Sequence, residues 1–534
     1  MSVTGGRLLA ETGRRPRTAG DHRSPAPFPR TVRPTLEHPV PDRPSHELLD
    51  TGLVDPASTP PARPTDRMDP RDRLAVALLL VSTFVVILNE TIMGVALPRL
   101  MTDLAVPAAT AQWLSTAFML TMAVVIPVTG FVLQRVTTRT AFLVAMGLFS
   151  LGTAVCALAP GFPVLLVGRV VQAGGTAIML PLLMTTVMTV TPPASRGRVM
   201  GNISVVISVA PAIGPTISGL ILSVLEWRWM FGLVLPIALG TLALGAARVP
   251  NIGETRYARV DVGSVVLSAL AFGGLVYGLS TVGSATGAVP AGAWVALVVG
   301  LTALSLFVAR QLWLQRTDDA LLDLRVLGSR TFTVSAALMA VVMLAMFGTI
   351  IMVPIYAQQV LRLTTLSTGL LLLPGGLLMG LLAPAVGRAY DRVGPRPLLV
   401  PGAVLASAAL WGMSTLGEHS APALLLAAHV TLSAGLAAMF TPLFTSALGS
   451  LPGDRYSHGS AMVGTVQQVA GAAGTALFVS VLTAQAARLA GAGVPSSTAT
   501  AGGVHAAFLV GAVVSLLAIP GAFLVRKAPS DEPR

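Results

Sequence analysis

Two stretches of the chain read Pro127-Val-Thr-Gly-Phe-Val-Leu-Gln-Arg-Val-Thr-Thr-Arg139 and Pro384-Ala-Val-Gly-Arg-Ala-Tyr-Asp-Arg-Val-Gly-Pro-Arg396. Each follows a long apolar segment, and the two are related by a constant offset of 257 residues, because 384 − 127 and 396 − 139 give the same difference. A repeat at this spacing indicates two related halves. The offset is long enough to leave room for additional helices between them.

The composition indicates an integral membrane protein. Of the 534 residues, 53% are hydrophobic and only 11% are charged, and the mean hydropathy is +0.76; soluble domains carry roughly 25% charged residues. A single cysteine, Cys156, excludes a disulfide within the chain. The net charge of +12 comes from basic residues scattered between apolar segments, so we expect the lipid bilayer, and no nucleic acid, as the partner.

Apolar windows of about 20 residues, long enough to cross a hydrocarbon core, recur from residue 74 onward, and about fourteen can be counted. We therefore predict an all-α integral membrane fold of two pseudo-repeated six-helix bundles plus two linking helices. The predicted parts are a disordered cytoplasmic N-terminal tail (1–73, with Met68 as an alternative start), a six-helix bundle (74–248), two extra helices with linkers (249–332), a second six-helix bundle (333–525) and a cytoplasmic C-terminal tail (526–534).

The arginines predict the orientation of these helices. They concentrate in alternate loops on the face that carries the N-terminal tail, whereas the opposite loops hold few of them, such as Arg99, Arg228, Arg362 and Arg488. Because positively charged loops remain in the cytoplasm, both termini are expected there. The predicted location is the cytoplasmic membrane, which the chain crosses many times.

One carboxylate lies inside a long apolar segment, that of Glu90 in Leu88-Asn89-Glu90-Thr91-Ile92. Burying a charge there costs on the order of 3 kcal/mol by insertion scales, so such residues are functional candidates. Arg169, in the fourth segment, has a similar predicted depth, and the two could pair. The alternatives are a neutral Glu90 carboxyl hydrogen-bonded to Asn89 or to a neighbouring helix, and an Arg169 that only pins backbone carbonyls.

The fifth apolar segment carries a pattern of small residues and prolines. Its members are Gly201, Ala210, Pro211, Gly214, Pro215, Ser218 and Gly219. On a helix, Ala210, Gly214 and Ser218 form one strip and the prolines and Gly219 form the next. Small residues allow close helix approach and prolines permit bending, which suits a helix that seals one end of a cavity. Ordinary small-residue packing is the alternative.

The repeated stretches that define the two halves place a glycine, an acid and arginines at a helix-loop-helix junction. The second copy contains Gly387, Asp391, Arg392, Gly394 and Arg396, and the first contains Gly130, Arg135 and Arg139. In the first copy, Gln134 stands at the position of the acid and Thr137 at that of the second glycine. Such groups can pair with helix ends in one conformation and separate in another; alternatively, they serve only to fix the orientation.

These motifs together resemble known families. The second-copy loop resembles the cytoplasmic loop signature of the major facilitator superfamily, and the fifth segment resembles the signature of its proton-coupled antiporters, with Ala210 and Ser218 in place of glycine. The stretch around Glu90, with Asn89 where many relatives carry aspartate, and Gly168-Arg169-Val-Val-Gln172 resemble the fourteen-helix drug:proton antiporters. The resemblance covers 74–525.

The resemblance implies a proton-coupled antiporter that exports lipophilic drugs, antibiotics or secondary metabolites. Glu90, Asn89, Arg169 and Gln172 would be the proton-coupling residues, the proton would be the coupling ion without any cofactor, and the protein would act as a monomer on a small lipophilic substrate. An enzyme is not expected, because the chain has no phosphate-binding glycine-rich loop with its lysine and no metal-ligand cluster. A non-transporting membrane sensor or scaffold and a proton-symport importer are the alternatives.

Overall fold

A computed structural model describes residues 68–252, 261–284 and 289–526, which form helices and, within these ranges, no β-strand. Helices satisfy every backbone polar group within one segment, which a hydrocarbon environment requires. Thirteen helical segments in the described ranges are long and apolar enough to cross a membrane, and the bent pair Pro193–Pro211 and Thr216–Val224, which meet at 40°, makes a fourteenth if counted as one span. The all-α membrane fold is confirmed.

The helices of the first half follow one another with short connections. They are α1 (Pro70–Asp103), α2 (Ala108–Arg135), α3 (Thr138–Ala157), α4 (Phe162–Val190), α5 (Arg196–Val224), α6 (Trp229–Gly232) and α7 (Val234–Arg248), with a 3₁₀ turn at Pro193–Ser195. The four-residue α6 and the longer α7 together form a single span, Trp229–Arg248.

Two linking helices and the second half complete the chain. They are α8 (Val262–Ser284), α9 (Ala291–Leu314), α10 (Arg330–Ile355), α11 (Thr365–Val393), α12 (Arg396–Ser414), α13 (Pro422–Gly449), α14 (Tyr456–Gly491), α15 (Ser496–Ser515) and α16 (Ala518–Leu524). Short 3₁₀ helices cover Leu324–Gly328 and Gly453–Arg455, and a π-helix, Tyr356–Val360, extends α10.

The first helix begins earlier than the sequence predicted. The Asp69 carboxylate accepts a hydrogen bond from the backbone N–H of Arg71 (2.9 Å), and Pro70 occupies the first helical position. This capping pattern starts a helix, so 70–73 belong to α1 rather than to the predicted tail. The rest of that tail (1–67), part of the predicted linkers (253–260 and 285–288) and 527–534 lie outside the described residues.

The halves meet along two seams: α5 packs against α11 at one and α2 packs against α14 at the other, and α13 also contacts α5 while α4 also contacts α14. Of the linking helices, α8 packs against both α2 and α14, and α9 packs against α8. The linking pair therefore lies beside the α2–α14 seam and not beside the α5–α11 seam.

Candidate functional site

Arg169 is the centre of a polar cluster inside the first half. Its side chain, on α4, is almost fully buried, with 1% exposed. The Nη1 atom donates to Gln172 Oε1 at 2.6 Å and to Asn89 Oδ1 at 3.5 Å. The guanidinium carbon lies 4.1 Å from the centre of the Phe118 ring, an attractive cation–π geometry. Helices α1, α2 and α4 thus meet on one buried cation.

Gln172 is held in place by α3. Its Nε2 donates to Thr153 Oγ1 at 2.7 Å, and the Thr153 hydroxyl donates to the carbonyl of Phe149 at 2.6 Å. Gly152 lets the two helices approach this closely, because a Cβ at that position would overlap the backbone of Gln172. The acceptor of the Arg169 guanidinium is therefore oriented by a chain of hydrogen bonds rather than free to rotate.

Glu90 is half-buried on α1, next to the buried Asn89. The structure brings Glu90 and Arg169 close enough to attract each other electrostatically. Within the described parts of the chain, however, Glu90 makes no hydrogen bond and no ion pair at 4.0 Å or less. Successive helix residues point about 100° apart, so when Asn89 faces the guanidinium, Glu90 points to the side. The carboxylate is a neighbour of the Arg169 cluster without belonging to it.

The strip predicted on α5 is the packed face of that helix. Ala210, Gly214 and Ser218 are buried, whereas Gly219 is exposed. The Thr91 hydroxyl, on α1, donates weakly to the carbonyl of Ala210 at 3.5 Å, and a Cβ at Gly214 would collide with Thr91 Oγ1. The motif of α5 therefore touches α1 one residue beyond Glu90.

Other members of the motif connect α5 to further helices. A Cβ at Gly201 would lie 2.7 Å from the carbonyl oxygen of Ala383 on α11. Ser218 Oγ donates to the Met230 sulfur at 3.5 Å. Pro211 is half-buried, and Pro215 lies within α5. The helix is consequently packed between α1 of its own half and α11 of the other.

The second copy of the loop motif binds the start of α5. The Asp391 carboxylate accepts hydrogen bonds from the backbone N–H groups of Gly197 at 2.7 Å and Arg198 at 2.9 Å. A carboxylate at a helix N-terminus compensates its free N–H groups and its dipole. Gly387 allows the approach, since a Cβ there would overlap the backbone carbonyl of Gly197. This contact joins the two halves.

The remaining residues of the second copy shape the turn. Gly394 ends α11 with a φ of 79°, which favours glycine. Arg396, at the start of α12, donates through Nε to the carbonyl of Val525 at 3.2 Å, and Arg392 is exposed.

The first copy of the loop motif meets the start of α14 in the corresponding way. A Cβ at Gly130 would lie 3.2 Å from the carbonyl oxygen of Ser457. Gln134 donates through Nε2 to the carbonyl of Asp454 at 2.9 Å. Arg139 donates to the carbonyl of Ala246 and Arg135 lies over the Phe131 ring at 5.4 Å.

Further hydrogen bonds between the halves lie at the same end of the molecule, which we call the loop-motif end: the end where α2, α4, α11 and α13 finish and α5 and α14 begin. They are Arg196 Nη2 to the Tyr456 hydroxyl (3.0 Å), Thr185 Oγ1 to Ser460 Oγ (3.2 Å) and Thr441 Oγ1 to Ser204 Oγ (2.8 Å). The halves are thus joined at the loop-motif end in this conformation.

Three contributors to the site were not assigned from the sequence. Phe118 lies within an apolar segment where nothing distinguishes it from a packing residue, and Thr153 and Thr91 are hydroxyls in helices that carry several others. Only the contacts of Phe118 with Arg169, Thr153 with Gln172 and Thr91 with Gly214 reveal them.

Comparison with known proteins gives matches along most of the chain. A model of the Major Facilitator Superfamily matches residues 79–475. The lincomycin resistance protein LmrB of Bacillus subtilis is 37% identical over 85% of this chain and 95% of its own. The uncharacterized transporter YcnB of the same organism is 40% identical over 85% of this chain and 94% of its own. A multidrug resistance protein B homolog of Mycobacterium tuberculosis is 28% identical over 80% of each chain.

Solved structures share the fold. The human organic anion transporter MFSD10 superposes with a TM-score of 0.61 at 16% identity, covering 86% of this chain and all of its own. A variant of the proton:xylose symporter XylE gives a TM-score of 0.59 at 14% identity over 86% of this chain and 97% of its own.

Proposed function

Since the chain belongs to the major facilitator superfamily and is therefore a multi-pass membrane transporter and not an enzyme, we propose that it exports lipophilic drugs, antibiotics or secondary metabolites in exchange for protons. The proposed location is the cytoplasmic membrane, with both termini in the cytoplasm. Two relatives carry names that refer to lincomycin or multidrug resistance, which supports export of such compounds.

The position of Glu90 is the observation that carries the proton-coupling part of the proposal. The carboxylate lies in an apolar span, half-buried, beside the cluster of Arg169, Asn89 and Gln172 but without an ion pair in the described chain. A negative charge there is costly, and proton uptake removes the cost. The nearby guanidinium favours proton release again. A carboxyl group poised between the two states is what proton exchange requires.

The contacts between the halves suggest when the proton binds. If the arginine-rich loops are cytoplasmic, the loop-motif end is the cytoplasmic end, and this conformation is closed toward the cytoplasm. Glu90 would then take its proton from the outside. Rocking of the halves would break the Asp391 contact with α5, open the loop-motif end and release the proton inward, while substrate moves outward in the reverse step.

The single intramembrane carboxylate also bears on which substrates suit the proposed exchange. Glu90 is the one carboxylate placed within a long apolar segment of the sequence. Competition between a proton and the positive charge of a substrate for that group suits a monovalent lipophilic cation or a neutral amphipathic molecule better than a dication. We propose that the protein needs no cofactor, with the proton as coupling ion, and acts as a monomer in the bilayer.

The test uses purified protein in liposomes with an imposed pH gradient and lincomycin or a lipophilic monovalent cation as substrate. Wild type is expected to accumulate substrate against its gradient, whereas Glu90→Gln should lose accumulation driven by the pH gradient and retain substrate–substrate exchange. Glu226→Gln, which changes an exposed acid outside the spans, is the matched control. Accumulation by Glu90→Gln equal to wild type would falsify the assignment.

The same assay separates the two alternatives. An importer that uses proton symport would move substrate in the direction of the proton. A sensor or scaffold would be folded and stable in the liposomes yet catalyse neither accumulation nor exchange with any substrate of a broad panel.

A further inference from the structure

The two seams between the halves are treated differently by the repeated loop motif. Subtracting the repeat offset of 257 from position 391 gives position 134. At the α5–α11 seam, Asp391 brings a negative charge to the first N–H groups of α5. At the α2–α14 seam, Gln134 is neutral and donates a hydrogen bond to a carbonyl instead. The α14 N-terminus receives no side-chain cap from its own residues.

A carboxylate is nevertheless present at the second of these seams, and it comes from the loop between α9 and α10. Asp323 is almost fully buried, with 4% of its surface exposed. Its carboxylate lies 3.6 Å from Nε of Arg455, the residue that precedes α14, and its backbone N–H donates to Nδ1 of His458 in the first turn of that helix at 3.4 Å. Asp323 thus contacts the same helix start that Gln134 reaches from the other half.

The surroundings of Asp323 form one polar cavity at the seam. The cavity has a volume of about 220 Å³, and its lining includes Gln134, Asp323, Arg325, Asp454, Arg455 and His458. Arg325 donates to both Asp323 oxygens through Nε at 2.9 Å and to Asp318 at 2.5 Å. Hydrogen bonds to these two carboxylates raise the pKa of the Arg325 guanidinium above its ordinary value. Charges of both signs therefore meet where the first half contacts α14.

The loop that carries Asp323 is fixed to the linking helices. The N–H of Leu322 donates to Gln311 Oε1 on α9 at 3.2 Å, and Gln311 Nε2 donates to Ser264 Oγ on α8 at 2.7 Å. Helix α8 in turn packs against both α2 and α14. The loop of Asp323 therefore connects the α2–α14 seam to both linking helices.

We propose that Asp323 is the replacement acid of the first loop motif: it holds Arg455 and the start of α14 in the geometry that receives α2, and so couples the two linking helices to closure of the loop-motif end. The proposal depends on membership of the transporter family and not on the exported compound or the coupling ion. Asp323 is a positioning residue in this role, because it acts through Arg455 and His458.

The experiment measures the conformational equilibrium of the full chain in liposomes by double electron–electron resonance, which gives the distance between two spin labels. Spin labels are attached at Thr140→Cys and Arg526→Cys, which are exposed in different halves, and the buried Cys156 is replaced by alanine. Asp323→Asn is expected to raise the ratio of open to closed populations at the loop-motif end about fivefold or more, because Arg455 then keeps, among the described residues, only its longer ion-pair contact with Asp454 (4.0 Å). Asp319→Asn, in the same loop, is the matched control.

Two further variants separate this role from simple capping of the Leu324–Gly328 turn, to which Asp323 also contributes. Gln134→Asp in the Asp323→Asn background should return the ratio toward that of wild type, because it restores an acid to the seam. Arg455→Gln should produce the same opening as Asp323→Asn, and the double variant should show no additional opening.

An unchanged distance distribution in Asp323→Asn would overturn the proposal, as would additive effects of Asp323→Asn and Arg455→Gln or the absence of rescue by Gln134→Asp. If Asp323→Asn cannot be recovered folded, Arg455→Gln tests the proposal instead. An unchanged open population in that variant would contradict the role of the Asp323–Arg455 contact.

Discussion

Thr91 and Gly214 are in direct contact where α1 crosses α5, and the space that a side chain at 214 would need is filled by the Thr91 hydroxyl. That hydroxyl is also fixed from its own helix, because it donates to the carbonyl of Leu88 at 2.9 Å. The helix that carries the candidate proton site and the helix that carries the small-residue motif are therefore fitted together one residue from Glu90.

We expect Gly214→Ala to lower the transport rate about tenfold or more while the protein still folds, because the added methyl group forces α1 and α5 apart beside Glu90. Transport into inverted vesicles, normalised to protein content, measures the effect. Combining it with Thr91→Ala should recover part of the rate. Gly219→Ala is the control within the same motif, since a Cβ there meets nothing within 4 Å; an equal loss in both variants would contradict the packing argument.

Gln172→Leu is expected to destabilise the protein. The substitution removes the 2.6 Å acceptor of the buried Arg169 guanidinium, and a lost hydrogen bond to a charged group costs about 1.5–3 kcal/mol. Thermal unfolding in detergent should show a lower midpoint for this variant. Gln468→Leu, at a half-buried amide on α14, should leave the midpoint close to that of wild type. Equal midpoints for the two variants would show that the Arg169 cluster does not depend on Gln172.

Asp391→Asn should open the loop-motif end. An amide has one oxygen instead of two to accept hydrogen bonds from the Gly197 and Arg198 N–H groups. It also carries no negative charge to compensate the positive end of the α5 dipole, so the contact should lose about 0.5–2 kcal/mol of stabilisation. The spin-label pair at Thr140 and Arg526 should report a larger open population. Arg388→Gln changes an exposed charge one turn earlier and should leave the distances unchanged.

The linking helices should depend on pH through Asp261. The Arg310 guanidinium, bound in a two-pronged contact at 2.6 and 2.7 Å, holds the pKa of the Asp261 carboxyl well below its usual range. Because the folded-state pKa is lowered, the stabilisation is complete above the unfolded pKa of about 4 and is lost as the pH falls toward the folded value.

Asp261→Asn should therefore lower the thermal midpoint at pH 7, and the difference from wild type should shrink below about pH 4. The exposed pair of Arg99 and Asp103 provides the control: Asp103→Asn should change the midpoint little at either pH. A difference for Asp261→Asn that persists unchanged at low pH would contradict the role of its charge.

Hydropathy predicted the helices well because a membrane span needs about 20 apolar residues whatever its neighbours are. Ala210, Gly214 and Ser218 are all buried in the structure, as expected of residues four apart, which share a helix face. The start of α1 was missed because the prediction relied on apolar windows, whereas Asp69 and Pro70 mark the helix start by capping it.

The partners of Arg169 were less predictable from the sequence. Depth along a helix places Glu90 and Asn89 almost equally near the guanidinium, whereas the rotation of α1 about its axis, set by packing on Thr91, decides which of them faces it. Phe118 lies on a third helix, and no pattern within one segment encodes a contact among three.

The loop from α9 to α10 has a consequence for how sequences of this kind are judged. A pattern search scores acids by their position along the chain, and by that measure the first loop motif of this protein is degenerate at Gln134. Folding instead brings together charges that are distant in sequence. Asp323 lies at the α2–α14 seam although it is 189 residues from Gln134 in the sequence (323 − 134). A mutational scan confined to the motif would miss this carboxylate, and a transporter that lacks the motif's own acid cannot be dismissed as inactive on that ground.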